Sequence, residues 1–247
     1  KPLATLKPNT VRTFAVGDTE WREQPTWPDL TVPMTSFNLS GGEASKACSG
    51  GALGEKPGDD DVSYTFDPAK PVETRGGASL LSFAFFRTLR FTPGPLDQGD
   101  SCQRDDVVTF RSEPVTKAQR LSGSGKLKLT VMSSAPDTAF VARLIAEQDG
   151  KALLVREDAA TLAWPKADVT SAQTSTPGTP VEVEIDFWPI EWVLPVGGRW
   201  RVDITSSSFP ALHTHSNRAT PWQTEAGFDV AQQTLQLANS KLDLPLR

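Results

Sequence analysis

Apolar and polar residues alternate along much of this chain with a period of two. In the run Val181-Glu182-Val183-Glu184-Ile185-Asp186-Phe187, the apolar residues share one side of an extended backbone and the three carboxylates share the other. Residues 126–131 repeat the pattern with Leu127, Leu129 and Val131 on one side, and residues 199–205 do so with Trp200, Val202 and Ile204. Val62, Tyr64 and Phe66 make a shorter version. Such segments predict strands with one face on a core and the other in water. Further strands are predicted over 11–16, 34–39, 106–111, 138–147, 151–157, 234–237 and 242–246.

Turn residues punctuate these runs: Gly41-Gly42, Pro57-Gly58, Pro93-Gly94-Pro95, Asp149-Gly150, Pro177-Gly178 and Gly197-Gly198. Asp149-Gly150, between two apolar runs, is the strongest hairpin signal among them. The 20 prolines are spread throughout and leave little room for long helices, so only 77–89 is expected to hold a helical turn or two. About ten closely spaced strands with little helix predict an all-β fold, an antiparallel β-sandwich or jelly roll. Neither a linker nor an internal repeat divides the 247 residues, so a single domain is expected over 1–247. Two long irregular stretches, 40–61 and 89–105, interrupt the strands, and long loops in compact domains tend to be functional or flexible.

Composition narrows the function classes. The 12 Phe and 7 Trp supply area for a substantial core, and charged residues are not in excess. A net charge of -5, with Lys126 and Lys128 as the local basic run, argues against nucleic acid as a partner. No apolar stretch approaches the roughly 20 residues that cross a bilayer. The best candidate, 139–146, is interrupted by Arg143, and the opening Lys1-Pro2-Leu3 carries no leader-like apolar run, so no membrane partner is expected. Cys48 and Cys102 both sit in loop-like sequence. Two readings stand level: unrelated thiols, or a candidate disulfide between two loops, which would imply an oxidising compartment.

Candidate chemistry is sparse. A hydrolase nucleophile elbow needs G-x-S-x-G, but between Gly50 and Gly54 the middle residue is Ala52. Phosphate and dinucleotide loops are missing too. His213 and His215, on a strand, would place both rings on one face as a metal half-site, but Pro210 just upstream favours a polar loop. Asp59-Asp60-Asp61 could ligate Ca²⁺, although such runs are more often solvated. Asp105 and Asp106, adjacent on a strand, would point to opposite faces, so a cap or salt bridge is expected rather than a carboxylate pair. No catalytic residue, metal or cofactor is therefore assigned. Trp188 and Trp200 are expected in the core, while Trp21, Trp27, Trp164, Trp192 and Trp222 are expected at loop or interface positions.

Several segments, in order, resemble the C-terminal, non-catalytic domain of the X-Pro dipeptidyl-peptidase, cocaine esterase and α-amino-acid ester hydrolase family. They begin with Val11-Arg-Thr-Phe-Ala-Val-Gly-Asp-Thr-Glu-Trp-Arg22 and Trp27-Pro28. Gly50-Gly-Ala-Leu53, Tyr64-Thr-Phe-Asp-Pro68, Pro71-Val-Glu-Thr-Arg-Gly-Gly77 and Asp97-Gln98 follow. Arg104-Asp-Asp-Val-Val-Thr-Phe110, Ser112-Glu-Pro114, residues 133–142, Ile204-Thr-Ser-Ser-Ser-Phe-Pro210 and Leu242-Asp-Leu-Pro245 complete the set. The stretch Ala211-Leu-His-Thr-His-Ser-Asn217 departs from the family pattern, as do the two cysteine loops.

The resemblance implies a galactose-binding-like jelly roll packed on an α/β-hydrolase domain that carries Ser, His and Asp. The partner expected is thus that catalytic domain, with homo-oligomerisation as a second association. The chain would act as an accessory domain that packs on the hydrolase and shapes its substrate cleft. Trp21, Arg22, Asp97, Gln98, Arg104 and Asp105 are the residues expected at the domain contact or cleft. The alternative functions are a free-standing carbohydrate-binding module, since fold does not settle function, and a metal-dependent enzyme built on His213 and His215.

Overall fold

Alternation in the sequence becomes alternation in burial. Leu127, Leu129 and Val131 are buried, as are Val183, Ile185 and Phe187, and so are Val62, Tyr64 and Phe66. The computed structural model describes residues 9–46, 48, 50–78, 93–219 and 227–247. Its strands are β1 (Val11–Phe14), β2 (Trp21–Gln24), β3 (Met34–Ser40), β4 (Gly51–Gly54), β5 (Asp61–Phe66), β6 (Val108–Ser112) and β7 (Gln119–Gly123). They continue with β8 (Lys126–Ser133), β9 (Ala139–Gln148), β10 (Lys151–Thr161), β11 (Val181–Asp186), β12 (Ile190–Leu194), β13 (Arg199–Thr205) and β14 (Ala231–Pro245). Among the described residues, helical structure is confined to two short 3-10 turns, Gly42–Lys46 and Ser101–Gln103. The helical turn predicted over 77–89 lies outside them beyond residue 78.

One ten-stranded sheet runs β10-β9-β13-β6-β4-β3-β14-β8-β11, with β5 also paired to β14, and every pairing is antiparallel except β4 with β6. β14 organises the bend of this sheet. Its first half pairs with β5 and its last five residues with β3, while β8 follows its other edge on both sides of an irregularity between Gln236 and Lys241. The sheet thereby curls around one core, to which the separate pair β7–β12 also contributes Leu121, Trp192 and Leu194. Its two ends, β10 and β11, come to lie side by side. This is an all-β, mostly antiparallel sandwich.

Two turn-level details follow from backbone chemistry. Asp149 and Gly150 join β9 to β10 with φ of 52° and 72°, the left-handed pair that a two-residue hairpin with the strand twist requires. Gly51 lies where β4 runs parallel to β6, and a Cβ there would fall 2.1 Å from the Thr109 carbonyl oxygen. Only glycine permits that approach.

The structure corrects several expectations. β1 ends at Phe14, and Val16 makes only an isolated bridge to Trp192. β2, β4, β7 and β12 lack the alternation that reveals a strand, and the predicted strands 234–237 and 242–246 merge into the one strand β14, which ends at Pro245 with Leu246 in an isolated bridge to Leu121. The polar face of β13 does not meet water: Arg201, Asp203 and Thr205 are as buried as Trp200, Val202 and Ile204.

Candidate functional site

The β1–β2 hairpin stands apart from the main sheet, with Phe14 opposite Trp21 and Val11 opposite Gln24. It is held to β7 and β12 by a charged clamp. Arg120 donates to Asp18 at 2.7 Å and to Glu191 at 2.5 Å, and Glu191 also accepts from Gln24 and Ser122 at 3.1 Å each. The Val16 backbone completes the attachment, donating to the Glu191 carbonyl and accepting from the Val193 N–H. Burial pushes the Glu191 carboxyl up, but its bonds to Arg120, Gln24 and Ser122 outweigh that and hold it below the usual glutamate range. Arg120 likewise holds the Asp18 carboxyl well below its ordinary value.

Beneath this hairpin opens a groove of about 460 Å³, walled by Phe14, Val16, Trp27, Pro95, Leu154 and Pro189, with Arg156 at its side. Phe14, which lines it, forms a tilted aromatic pair with Trp21, ring centroids 5.4 Å apart, and Trp21 is 64% exposed. Trp188 is 75% exposed and precedes the Pro189 that lines the groove. Phe14 and Trp27 bring aromatic rings to the groove, and Thr13, Arg156 and Glu191 line it beside them.

The opposite arrangement covers β13. Residues 97–106 cross its polar face, and Cys48 and Cys102 are joined there with 5.0 Å between their Cα atoms. Arg201 donates to both oxygens of Asp203 at 2.7 Å and to the Ser101 hydroxyl at 2.9 Å, while Asp203 also accepts from Ser101 and Thr109. Burial works against the Arg201 charge, but Asp203 and Glu147 more than offset it, and its pKa moves up. Next to this cluster, Arg143 donates to Glu157 at 2.7 Å and to the Ser208 hydroxyl at 2.8 Å. The Ser206-Ser207-Ser208 run is used as an adhesive, with hydroxyls bonded to the Tyr64 hydroxyl, the Val72 N–H and the Thr74 hydroxyl. This region is polar and built from side-chain hydrogen bonds.

The structure does not gather the six residues singled out by sequence. Trp21 and Arg22 are on the exposed hairpin, Arg22 bonded to Asp18. Asp97 accepts from the Gly99 and Ala152 N–H groups, which fixes its loop to β10. Gln98 is fully buried and donates to the Arg75 and Leu96 carbonyls, so it holds the 97–106 segment together. Arg104 binds Asp106 through two nitrogens at 2.7 Å and reaches the Lys70 carbonyl, and Asp105 is exposed beside it.

Two tryptophans exchange roles relative to the sequence expectation. Trp188 is at the surface and Trp192, at 1% exposure, is core. Pro189 falls between them, and the pairing of β12 with β7, rather than any alternation through 187–192, decides which ring turns inward. Trp164 is exposed, Trp27 is half-buried in the groove, and Trp222 lies outside the described residues. His213 and His215 are on a loop, not a strand, and His215 accepts from the Asn217 N–H and faces Asp137 at 3.2 Å. Among the described residues no group of three or more His, Cys, Asp or Glu is placed to hold a metal ion. Phe14, Glu191, Arg120 and Arg156 were not singled out by sequence, although Phe14 stands inside the segment 11–22 that carries the family resemblance.

Residues 6–241 match the model of the X-Pro dipeptidyl-peptidase C-terminal non-catalytic domain. The cocaine esterase of Rhodococcus sp. (strain MB1 Bresler) is 32% identical over 214 residues, covering 84% of this chain but 35% of the esterase. An aminopeptidase from a marine sediment Thaumarchaeota archaeon superposes with a TM-score of 0.77 at 22% identity, covering 96% of this chain and 40% of that one. An α-amino acid ester hydrolase gives 0.74 at 22% identity, covering 92% and 39%. The chain thus spans between a third and two fifths of the length of these relatives, and it belongs to the family of X-Pro dipeptidyl-peptidase C-terminal non-catalytic domains.

Proposed function

We propose that this chain is the accessory β-domain of a serine hydrolase acting on esters or peptides, and that the groove face under the β1–β2 hairpin packs on the α/β-hydrolase domain of the same parent and helps wall its substrate cleft. The observation that carries this reading is the grouping of Phe14, its exposed ring partner Trp21, and Trp27 at one groove under the β1–β2 hairpin. Docked domains typically bury roughly 600–1,500 Å² between them, so a docking face would have to extend well beyond the groove itself. The names of the relatives supply the chemistry of the missing partner: an esterase, an aminopeptidase and an ester hydrolase, each more than twice as long as the region matched. The nucleophile and its activating base would lie in that partner, because no elbow is present in this sequence. The bonded cysteines favour an oxidising compartment for the parent.

The decisive observation is the reading frame on the N-terminal side of Lys1. An in-frame α/β-hydrolase segment with a G-x-S-x-G elbow is expected. A stop codon or an unrelated domain there would remove the reading. Exposed Trp164 and Trp188 favour the carbohydrate-binding alternative, and a saturable micromolar glycan ligand for the purified chain would replace docking with sugar recognition.

A further inference from the structure

Arginines crowd one end of the polar face of the main sheet. Arg111 on β6 stands in register with Arg201 on β13, and Arg199 projects from the same side of β13 two residues earlier. Like charges directly opposite each other on paired strands repel. Here one carboxylate oxygen separates them: Glu147 Oε1, from β9, accepts from Arg111 Nε at 2.7 Å and from Arg201 Nη1 at 3.3 Å. Arg201 is completed by Asp203, which takes its Nε and Nη2 at 2.7 Å each. Arg111 is not completed. Only its Nε is bonded, both terminal nitrogens lack an acceptor among the described residues, and one of them, Nη1, is buried. A buried N–H without an acceptor carries the full desolvation penalty of that group, more so when the group is charged.

These side chains line a cavity of about 390 Å³ beside the Asp149-Gly150 turn. Lys151 joins them there with no ion-pair partner among the described residues. Arg199 bonds the Ser112 carbonyl at 2.9 Å, and its nearest carboxylate is the solvent-exposed Glu113 at 4.0 Å, where pairing is screened. The lining carboxylates are Glu147 and Asp149. Four cations against these two, with Asp203 committed to Arg201, leave one positive charge uncompensated. We propose that this cavity binds a small tetrahedral oxyanion, a free phosphate or the phosphate head of a small ester. Arg111, Arg199 and Lys151 are three separate donors, more than the two oxygens of a carboxylate can serve, and the open fork of Arg111 matches phosphate geometry. The bound ion would give Arg111 its missing acceptors and offset its repulsion with Arg201.

Equilibrium dialysis of the chain against labelled inorganic phosphate, with ionic strength held constant by chloride, tests this. One saturable phosphate per chain is expected, displaced by sulfate and about tenfold less readily by acetate. Glycerol 3-phosphate separates the two sources: displacement at lower concentration than unlabelled phosphate assigns the ester, and at higher concentration the free ion. Arg111→Gln and Arg199→Gln should each weaken binding about tenfold, the scale of one hydrogen bond to a charged group. Arg111→Lys should keep part of the affinity. Lys128→Gln, on β8 and outside the cavity lining, should leave it unchanged. Arg199 and Lys151 are less buried than Arg201, so Arg199→Gln and Lys151→Gln carry the test even if the Arg111 variants fold poorly, which a urea midpoint would reveal. Phosphate uptake that does not saturate, acetate displacing as well as sulfate, binding that survives both Arg199→Gln and Lys151→Gln, or an equal loss in Lys128→Gln would overturn the site.

Discussion

The two sides of this sandwich invert the usual partition of residues in opposite directions. Under segment 97–106, charged groups are inside: Arg201 and Asp203 have side chains 1% exposed, and serine and threonine hydroxyls surround them. Around the β1–β2 hairpin, large apolar rings are outside. The first region is largely paired, with Gln98 Oε1, Thr205 Oγ1 and Arg111 Nη1 as exceptions, and a disulfide ties down its cover. The second leaves large rings facing solvent, and its Arg156 bonds the Trp188 and Pro189 carbonyls. Buried polar groups are stable where they meet partners, whereas large exposed apolar groups are the usual material of contact surfaces.

Breaking the closed region should produce the largest effect. Arg201→Met leaves Asp203 buried without its cation and is expected to cost about 3–5 kcal/mol, read as a shift in the urea midpoint. Adding Asp203→Leu should recover part of that loss, because removing both charges is far less costly than stranding one. Additive losses in this double-mutant cycle would mean that the two side chains are not the coupled pair described here. Reduction comes next. The Cys48–Cys102 bond closes a loop with a sequence separation of 54, and its loss should cost about 2–4 kcal/mol. Intact mass with and without reductant checks the bond, and free thiols in freshly purified protein would contradict it.

The hairpin clamp gives a smaller, pH-dependent effect. The carboxyl of Glu191 is held below its unfolded value by Arg120, so its contribution is fully present above the unfolded glutamate pKa of about 4.3 and is lost as pH falls through the depressed folded value. Glu191→Gln should remove about 1.5–3 kcal/mol at neutral pH, the range for hydrogen bonds to a charged group, and flatten this acid dependence. Equilibrium unfolding of both proteins from pH 7 down to pH 3 reads the difference. An unchanged slope in the variant would assign the acid response to other carboxylates.

How much of this was legible depended on whether the cause was local. The faces of β8 and β11 could be read because one side of each meets water and the alternation records it. β13 has the same alternation, yet its polar side is roofed by residues about 100 positions earlier, and nothing within 199–205 reports that cover. β4, with the sequence Gly-Ala-Leu-Gly, is a strand because it fits between β3 and β6, not because its residues prefer one. The contact residues divided in the same way. Trp21 could be picked from the family resemblance and is exposed, whereas Gln98 came from the same source and is buried as a fastener. Arg156 escaped notice because its orientation depends on a bulge that no residue in its neighbourhood signals.

The smallest expected effect is also the one that most sharpens the contrast between the two regions. Trp21→Ala removes a ring that is 64% exposed and touches Phe14 at its edge, so the isolated chain loses little buried area. An aromatic pair contributes about 0.5–1.5 kcal/mol beyond area burial, and solvent exposure here places the expected loss near the bottom of that range. Thermal and urea unfolding of the isolated chain should therefore barely move, while Arg201→Met shifts both strongly. In the parent enzyme the ranking should reverse for domain docking, because the ring would there be buried against the hydrolase. Limited proteolysis of the parent would read this: Trp21→Ala should speed release of the β-domain without lowering its own resistance to unfolding. A Trp21→Ala chain that loses as much stability as Arg201→Met would show that the hairpin belongs to the core's cooperative unit. The open face would then be a structural surface rather than a docking one.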